Sequence, residues 1–201
     1  FATHENSILN AIINQLLLSK ESDKVQLITF LKSITKSTAN NAESWKGDRL
    51  MIDLRDIILK YYYNPLTKGS NSIKELLPAV LESDKDLQVR YAKCIGELGI
   101  SSLNFHSNHI WITKDLEKVV NPYKMLPPLF ETWNSNQKDI LISGISDIAN
   151  GGEAMMAYAK LQYVDMMNQE REELISGLKK YCELDTLAMV MILEHLKGLL
   201  K

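Results

Sequence analysis

The chain has 201 residues, 45% hydrophobic and 24% charged, which excludes a segment too polar to collapse and allows one large domain or two small ones. Its net charge of −2 excludes a general electrostatic attraction to nucleic acid or anionic membrane, leaving only local patches. The two cysteines, Cys94 and Cys182, lie within apolar helical spacing, which fits free buried thiols in a reducing compartment better than a secreted disulfide framework.

The sequence has no Asn-x-Ser/Thr sequon, no apolar run near the roughly 18 residues that span a bilayer, and no charged-then-apolar leader. Cytoplasmic or nuclear residence is the expectation. A start at Phe1 rather than methionine reads as a fragment of a longer protein, or as a processed or incomplete terminus.

In chain order, Ile8, Leu9, Ile12, Ile13, Leu16 and Leu17 recur at three- and four-residue steps and predict a first helix. Ser22 or Asp23 caps a second, carrying Val25, Leu27, Ile28, Leu31 and Ile34, which fades into a polar loop from Thr35 to Gly47. A third helix is expected between Asp48 and Tyr63, ended by Asn64-Pro65, and its run Tyr61-Tyr62-Tyr63 must send at least one ring to solvent or a partner.

Ser72 with Glu75 reads as a capping box that opens a helix from Ile73 to Leu81. Ser83, Asp84 and Asp86 break that helix and cap another, whose stripe of Leu87, Tyr91, Cys94, Ile95 and Leu98 runs to Gly99. The unit is a helix, a tight charged turn and an antiparallel helix.

The stretch LLPAVLESDKDLQVRYAKCIGELG, Leu76 to Gly99, resembles a HEAT repeat: Pro78 in the first helix, an acidic turn at Asp84 and Asp86, the pair Val89-Arg90, then small residues Ala92 and Gly96. Its ending also echoes the helical-repeat region of ATR-type checkpoint kinases. The resemblance implies stacking on neighbouring helix pairs, with Arg90 reaching an acidic turn next door; an irregular helical bundle with one such hairpin is the alternative.

From Ser101 to Asn121 a loop or short helices are expected around Ile110, Trp111 and Ile112. Pro122, Pro127 and Pro128 mark a boundary. The domains are thus expected at 1–120 and 129–201, with 121–128 as linker. Leu129, Phe130, Trp133, Ile140, Leu141, Ile145 and Ile148 predict one or two helices ending at Asn150-Gly151-Gly152.

Beyond them, Met155, Met156, Ala159, Tyr163, Met166 and Met167 line one side of a further helix, which either continues to about Cys182 or turns near Asn168. A last helix, Leu184 to Leu200, is apolar on several sides and completes a C-terminal long-helix hairpin. The fold class is all-α.

Chemistry-bearing patterns are sparse. His106 and His109 lack the further ligands a zinc site needs, and Gly151-Gly152 has no preceding strand or phosphate-loop pattern. Asp165, Glu170, Glu172 and Glu173 read as a solvated helix face, since di-metal bundles need Glu-x-x-His motifs. No Gly-x-Ser-x-Gly elbow occurs, and neither cysteine has a charged helper nearby. No catalytic, cofactor or metal site is expected.

Six of eight methionines, Met155, Met156, Met166, Met167, Met189 and Met191, fall in the last 50 residues, either as core filling or as a partner groove. The functional expectation is a non-enzymatic protein–protein interaction scaffold, with Tyr62, Tyr63, Arg90, Trp111, Met166 and Met167 as contact residues and no small-molecule substrate. The alternative is a membrane-associated BAR-like module, for which Lys179, Lys180, Lys197 and Lys201 are few basic residues. Nucleic-acid binding ranks third, without a Lys/Arg stripe interleaved with aromatics.

Overall fold

The computed structural model describes residues 2–200; Phe1 and Lys201 lie outside the described residues. The chain is mostly helical, as its periodicity predicts, and divides into two compact units, 1–63 and 64–201. The division falls at Tyr63/Asn64 rather than at 121–128. Pro122 and Tyr123, expected in a linker, are buried within the second unit.

In the first unit, α1 (Ala2–Leu18) and α2 (Lys24–Ile34) pack as a hairpin, with α3 (Leu54–Tyr61) following. Its core is thin. Ile13 and Ile58 are buried, Leu9, Leu16, Ile28, Leu31 and Ile34 half-buried, and no residue of α2 is fully buried. Asp23 sits at the entry of α2 but its side chain makes no capping bond.

The polar stretch after α2 is fastened by its own polar groups. Ser37 N donates to Trp45 O at 2.9 Å, Gly47 N to Thr35 O at 2.8 Å, and Trp45 Nε1 to the buried Thr35 Oγ1 at 3.1 Å. From α1, Asn6 Oδ1 accepts from the Lys36 amide at 2.9 Å and Asn10 Nδ2 donates to Lys36 O at 3.0 Å. Arg49 N and Met51 N then donate to Ser33 O and Ile34 O, satisfying carbonyls at the end of α2. Those bonds keep 48–52 out of helix, in a turn at Asp48 and Arg49 and irregular backbone after it, so α3 begins at Leu54, capped by Asp53, and not at Asp48.

In the second unit, α4 (Ile73–Ser83) is the buried centre, with Leu76, Leu77, Ala79, Val80 and Leu81 all enclosed. Ser72 caps it through the Lys74 amide rather than through the expected exchange with Glu75. Asp84 alone joins it to α5 (Lys85–Tyr91): its amide donates to Val80 O, and its Oδ1 accepts from Leu87 N at 3.0 Å.

The hairpin departs from its expected length after Tyr91. Ile95 N donates to His109 O at 2.9 Å and Gly96 N to Ser107 O at 2.8 Å, so segment 107–112 takes the amides that would have continued the helix to Gly99. Ile95 remains buried, though not on a helix. The short hairpin of β1 (Lys114–Asp115) and β2 (Lys118–Val119) follows. Its turn residues Leu116 and Glu117 both have positive φ, a conformation that Gly or Asn usually announces, so the sequence held no turn signal.

Residues 129–148 form only the short α6 (Ser135–Asp139), not the expected helices. Leu129, Phe130, Ile145 and Ile148 are buried and Ile140 is exposed, but positive φ at Phe130 and Gly144 breaks helical continuity. Then come α7 (Gly151–Tyr163) and α8 (Asn168–Gly198), parted by an extended link near Asn168, as one of the two alternatives had it. The last helix is not separate: α8 runs unbroken through Cys182 and Leu184 and packs on α4 and α7 with Leu174, Leu184, Ala188, Met191 and Ile192 buried.

Gly47 tests the fastening of the first unit. A Cβ there would collide with the backbone carbonyl of Ser33, which cannot rotate away. Gly47→Ala is expected to destabilise the first unit by about 1–3 kcal/mol, the usual cost of forced overpacking. Hydrogen exchange should show lost amide protection in α1 and α2 while α4 and α8 keep theirs.

Candidate functional site

The most distinctive surface of the second unit is built on α7. Asn150 and Glu153 form a capping box: Asn150 Oδ1 accepts from Glu153 N at 3.0 Å, and Glu153 Oε2 accepts from Asn150 N at 3.2 Å and from Ala149 N at 2.7 Å. Lys160 donates through Nζ to Ser143 O. Glu153 and Lys160 are the only charged residues of α7, and both are tied into the loop before it.

The buried side of α7 is Ala157 and Leu161, flanked by half-buried Ala154. Its small residues let α7 lie close to α8. Outward point Met155 (75% exposed), Met156 (55%), Tyr158 (62%) and Tyr163 (89%), with the exposed Ala159 and Gln162 between them. The outward face carries no charge.

Glu170 holds the other side of the same loop. It is fully buried, and its carboxylate accepts from Ser143 N at 2.7 Å and Ile142 N at 3.3 Å. This corrects its assignment to a solvated face, where Asp165 and Glu172 do lie. A buried carboxylate paired with two amides costs little and gives the loop one conformation.

Two further polar centres tie α8 to the rest of the unit. Lys74 Nζ donates to Tyr181 OH at 2.6 Å and lies 3.9 and 4.2 Å from the ring centroids of Tyr123 and Tyr181, while Tyr123 OH donates to Asp185 Oδ1 at 2.6 Å. Burial pushes the Lys74 ammonium below its usual range, against the pull of Asp185 and Glu153. Burial, and then the Asp185 carboxylate, push both phenols well above theirs. Each polar head already has a protein partner, so the centre acts as a clasp between α4, the turn at Tyr123 and α8.

The second centre is His195 Nδ1 at 2.8 Å from Asp84 Oδ2, beside Tyr91 OH donating to Glu194 Oε2 at 3.0 Å and Arg90 Nη1 at 3.2 Å from Glu194 Oε1. Burial acts to raise the Asp84 pKa, but the hydrogen bonds from His195 and the Leu87 amide outweigh it, and the carboxyl sits below its usual range. Burial and the Glu194 carboxylate push the Tyr91 phenol up to about 12.

The expected contact residues differ in exposure. Trp111 and Met166 are buried, and Arg90 is paired with Glu194 of its own unit. Tyr62 is half-buried, and Tyr63 and Met167 are exposed. Trp111 instead meets Phe105 and His109 edge-on at centroid distances of 4.7 and 4.6 Å, and His109 stacks on Phe105 while His106 is exposed. Among the described residues no three metal-ligating side chains gather. Cys94 is half-buried and Cys182 exposed, where buried thiols were expected.

The exposed apolar residues of α7 that were not among the expected contact residues are Met155, Met156, Tyr158 and Tyr163. Met155, Met156 and Tyr163 share one side of the helix, as their spacing predicts, and of the two expectations for the methionines, core filling or an exposed groove, Met155 and Met156 are exposed. The signal lay in the remaining positions: Ala154, Ala157 and Leu161 form a second apolar stripe, narrower and nearer the two charges.

Two titrations check this electrostatic picture. Of the eight tyrosines, Tyr91, Tyr123 and Tyr181 should hold their protons beyond the ordinary range near 10, so absorbance at alkaline pH should show them ionising late or only on unfolding. Replacing Tyr123 by Phe removes one late step. Because the folded pKa of Asp84 is lowered, its stabilisation is complete above the unfolded value near 3.9 and fades as pH falls through the folded value. Asp84→Asn should therefore lower Tm at neutral pH and flatten the fall of Tm between about pH 5 and 2.

No protein-family model, curated protein or solved structure shows a significant match to this chain.

Proposed function

We propose that the chain is a non-enzymatic helical scaffold for protein–protein contact, and that the outward face of α7 is its contact surface. The observation that supports it is the inversion of α7: both charges turn toward its own loop, and two methionines and two tyrosines, each more than half exposed, face out. Solvated helix faces normally carry the charge. Monomeric proteins rarely expose contiguous apolar patches beyond a few hundred Å², and those that do use them.

The side-chain types fit the role. Tyrosine offers a large rigid surface with a polar tip, and methionine adapts its shape to what it meets. The rest of the unit supplies rigidity, since the capping box, the Glu170 anchor and the Lys74 clasp fix α7 and α8 to α4. The reading does not need a regular HEAT array. The α4–α5 hairpin keeps the paired-helix logic of the resemblance, while α5 has seven residues.

A photoreactive residue placed at Tyr158 should form protein adducts in living cells, and one at the exposed Glu172 of α8 should not. Tyr163→Glu should abolish the adducts without altering the helical circular dichroism. Equal labelling from both positions, or none from Tyr158, would overturn the proposal.

A further inference from the structure

We infer that the occupant of this face is a second copy of the chain, packed antiparallel on α7 across a twofold axis at Ala159. The inference rests on the contact-face reading above and names its partner.

Charge is the first consideration. From Gly152 to Tyr163 the outward positions are uncharged, because Glu153 and Lys160 are turned aside and bonded to Ala149, Asn150 and Ser143. A partner selected by charge has nothing to read there, whereas an identical face meets itself without repulsion.

The spacing is also self-complementary. Ala159 is exposed and small, flanked four residues away on the same face by Met155 and Tyr163. A twofold axis through Ala159 sets Met155 of each copy against Tyr163 of the other, giving two thioether–ring contacts of a favourable kind. It also sets Met156 against Gln162, three residues from the centre on either side. The alanine lets the two helix axes approach to the roughly 8–10 Å of packed helices.

Area is sufficient for a reversible dimer. With side chains of ~200 Å² exposed to the fractions given above, Met155, Met156, Tyr158 and Tyr163 offer on the order of 550 Å² per copy. Two copies would bury at most about 1,100 Å², near the lower bound for specific interfaces, which points to a weak dimer rather than an obligate one.

Sedimentation velocity of the purified chain should show a monomer–dimer equilibrium between about 1 and 200 µM, the range a small interface sustains. Ala159→Glu, which places two carboxylates face to face on the axis, should leave a monomer of unchanged helicity. In a background with Cys94 and Cys182 replaced by serine, Ala159→Cys should oxidise to a covalent dimer, and Gln162→Cys, displaced from the axis, should not. A chain monomeric throughout that range, or a dimer indifferent to Ala159→Glu, overturns the inference. If the photoreactive residue at Tyr158 still captures another protein in cells, only the identity of the occupant falls; if it captures nothing, the contact-face reading falls with it.

Discussion

Asp84 is the joint on which the second unit turns. It is the single residue between α4 and α5, and it serves three helices at once: its amide closes α4, one carboxylate oxygen caps α5, and the other meets His195 near the end of α8. Helix ends leave backbone groups unsatisfied, and burying them uncapped is costly. One residue, through its amide and its carboxylate, meets that need for two adjoining helix ends and also sets the register of a third helix 111 residues away. The Tyr91–Glu194–Arg90 contacts repeat the connection from the other end of α5, through the residue next to His195.

Given that register, the other buried polar groups have fixed places. Lys74 on α4 falls between Tyr123 and Tyr181, and Tyr123 reaches Asp185 on the next turn of α8. At the opposite end of α8, Glu170 gathers the amides of Ile142 and Ser143, and the carbonyl of Ser143 takes Lys160 from α7. The rotation of α7 follows from these bonds. Its charges must face the loop, its small residues face α8, and its methionines and tyrosines are left outside. The exposed patch is thus a consequence of buried electrostatics.

The first unit shows the same economy with less apolar burial. Its polar stretch 35–47 looks like spacer in sequence, yet Thr35 is buried and Asn6, Asn10 and Trp45 bond to that segment. The helical hairpin of α1 and α2 has few enclosed side chains, so these polar contacts carry a larger share of its definition than in the second unit.

The sequence by itself determined the all-α class, the helices at the chain start and the joint at Asp84, because side-chain periodicity and capping chemistry act over a few residues. It misjudged conformation where distant backbone competes for hydrogen bonds: segment 107–112 cut α5 short, and positive φ at Phe130 and Gly144 undid the helices expected around them. It also left open which face of α7 turns inward. Periodicity tells which residues share a side of a helix, not which side turns inward. Only the tertiary structure decided that, because amides at Ile142 and Ser143 and a carboxylate at Glu170, 27 residues apart along the chain, had to meet first.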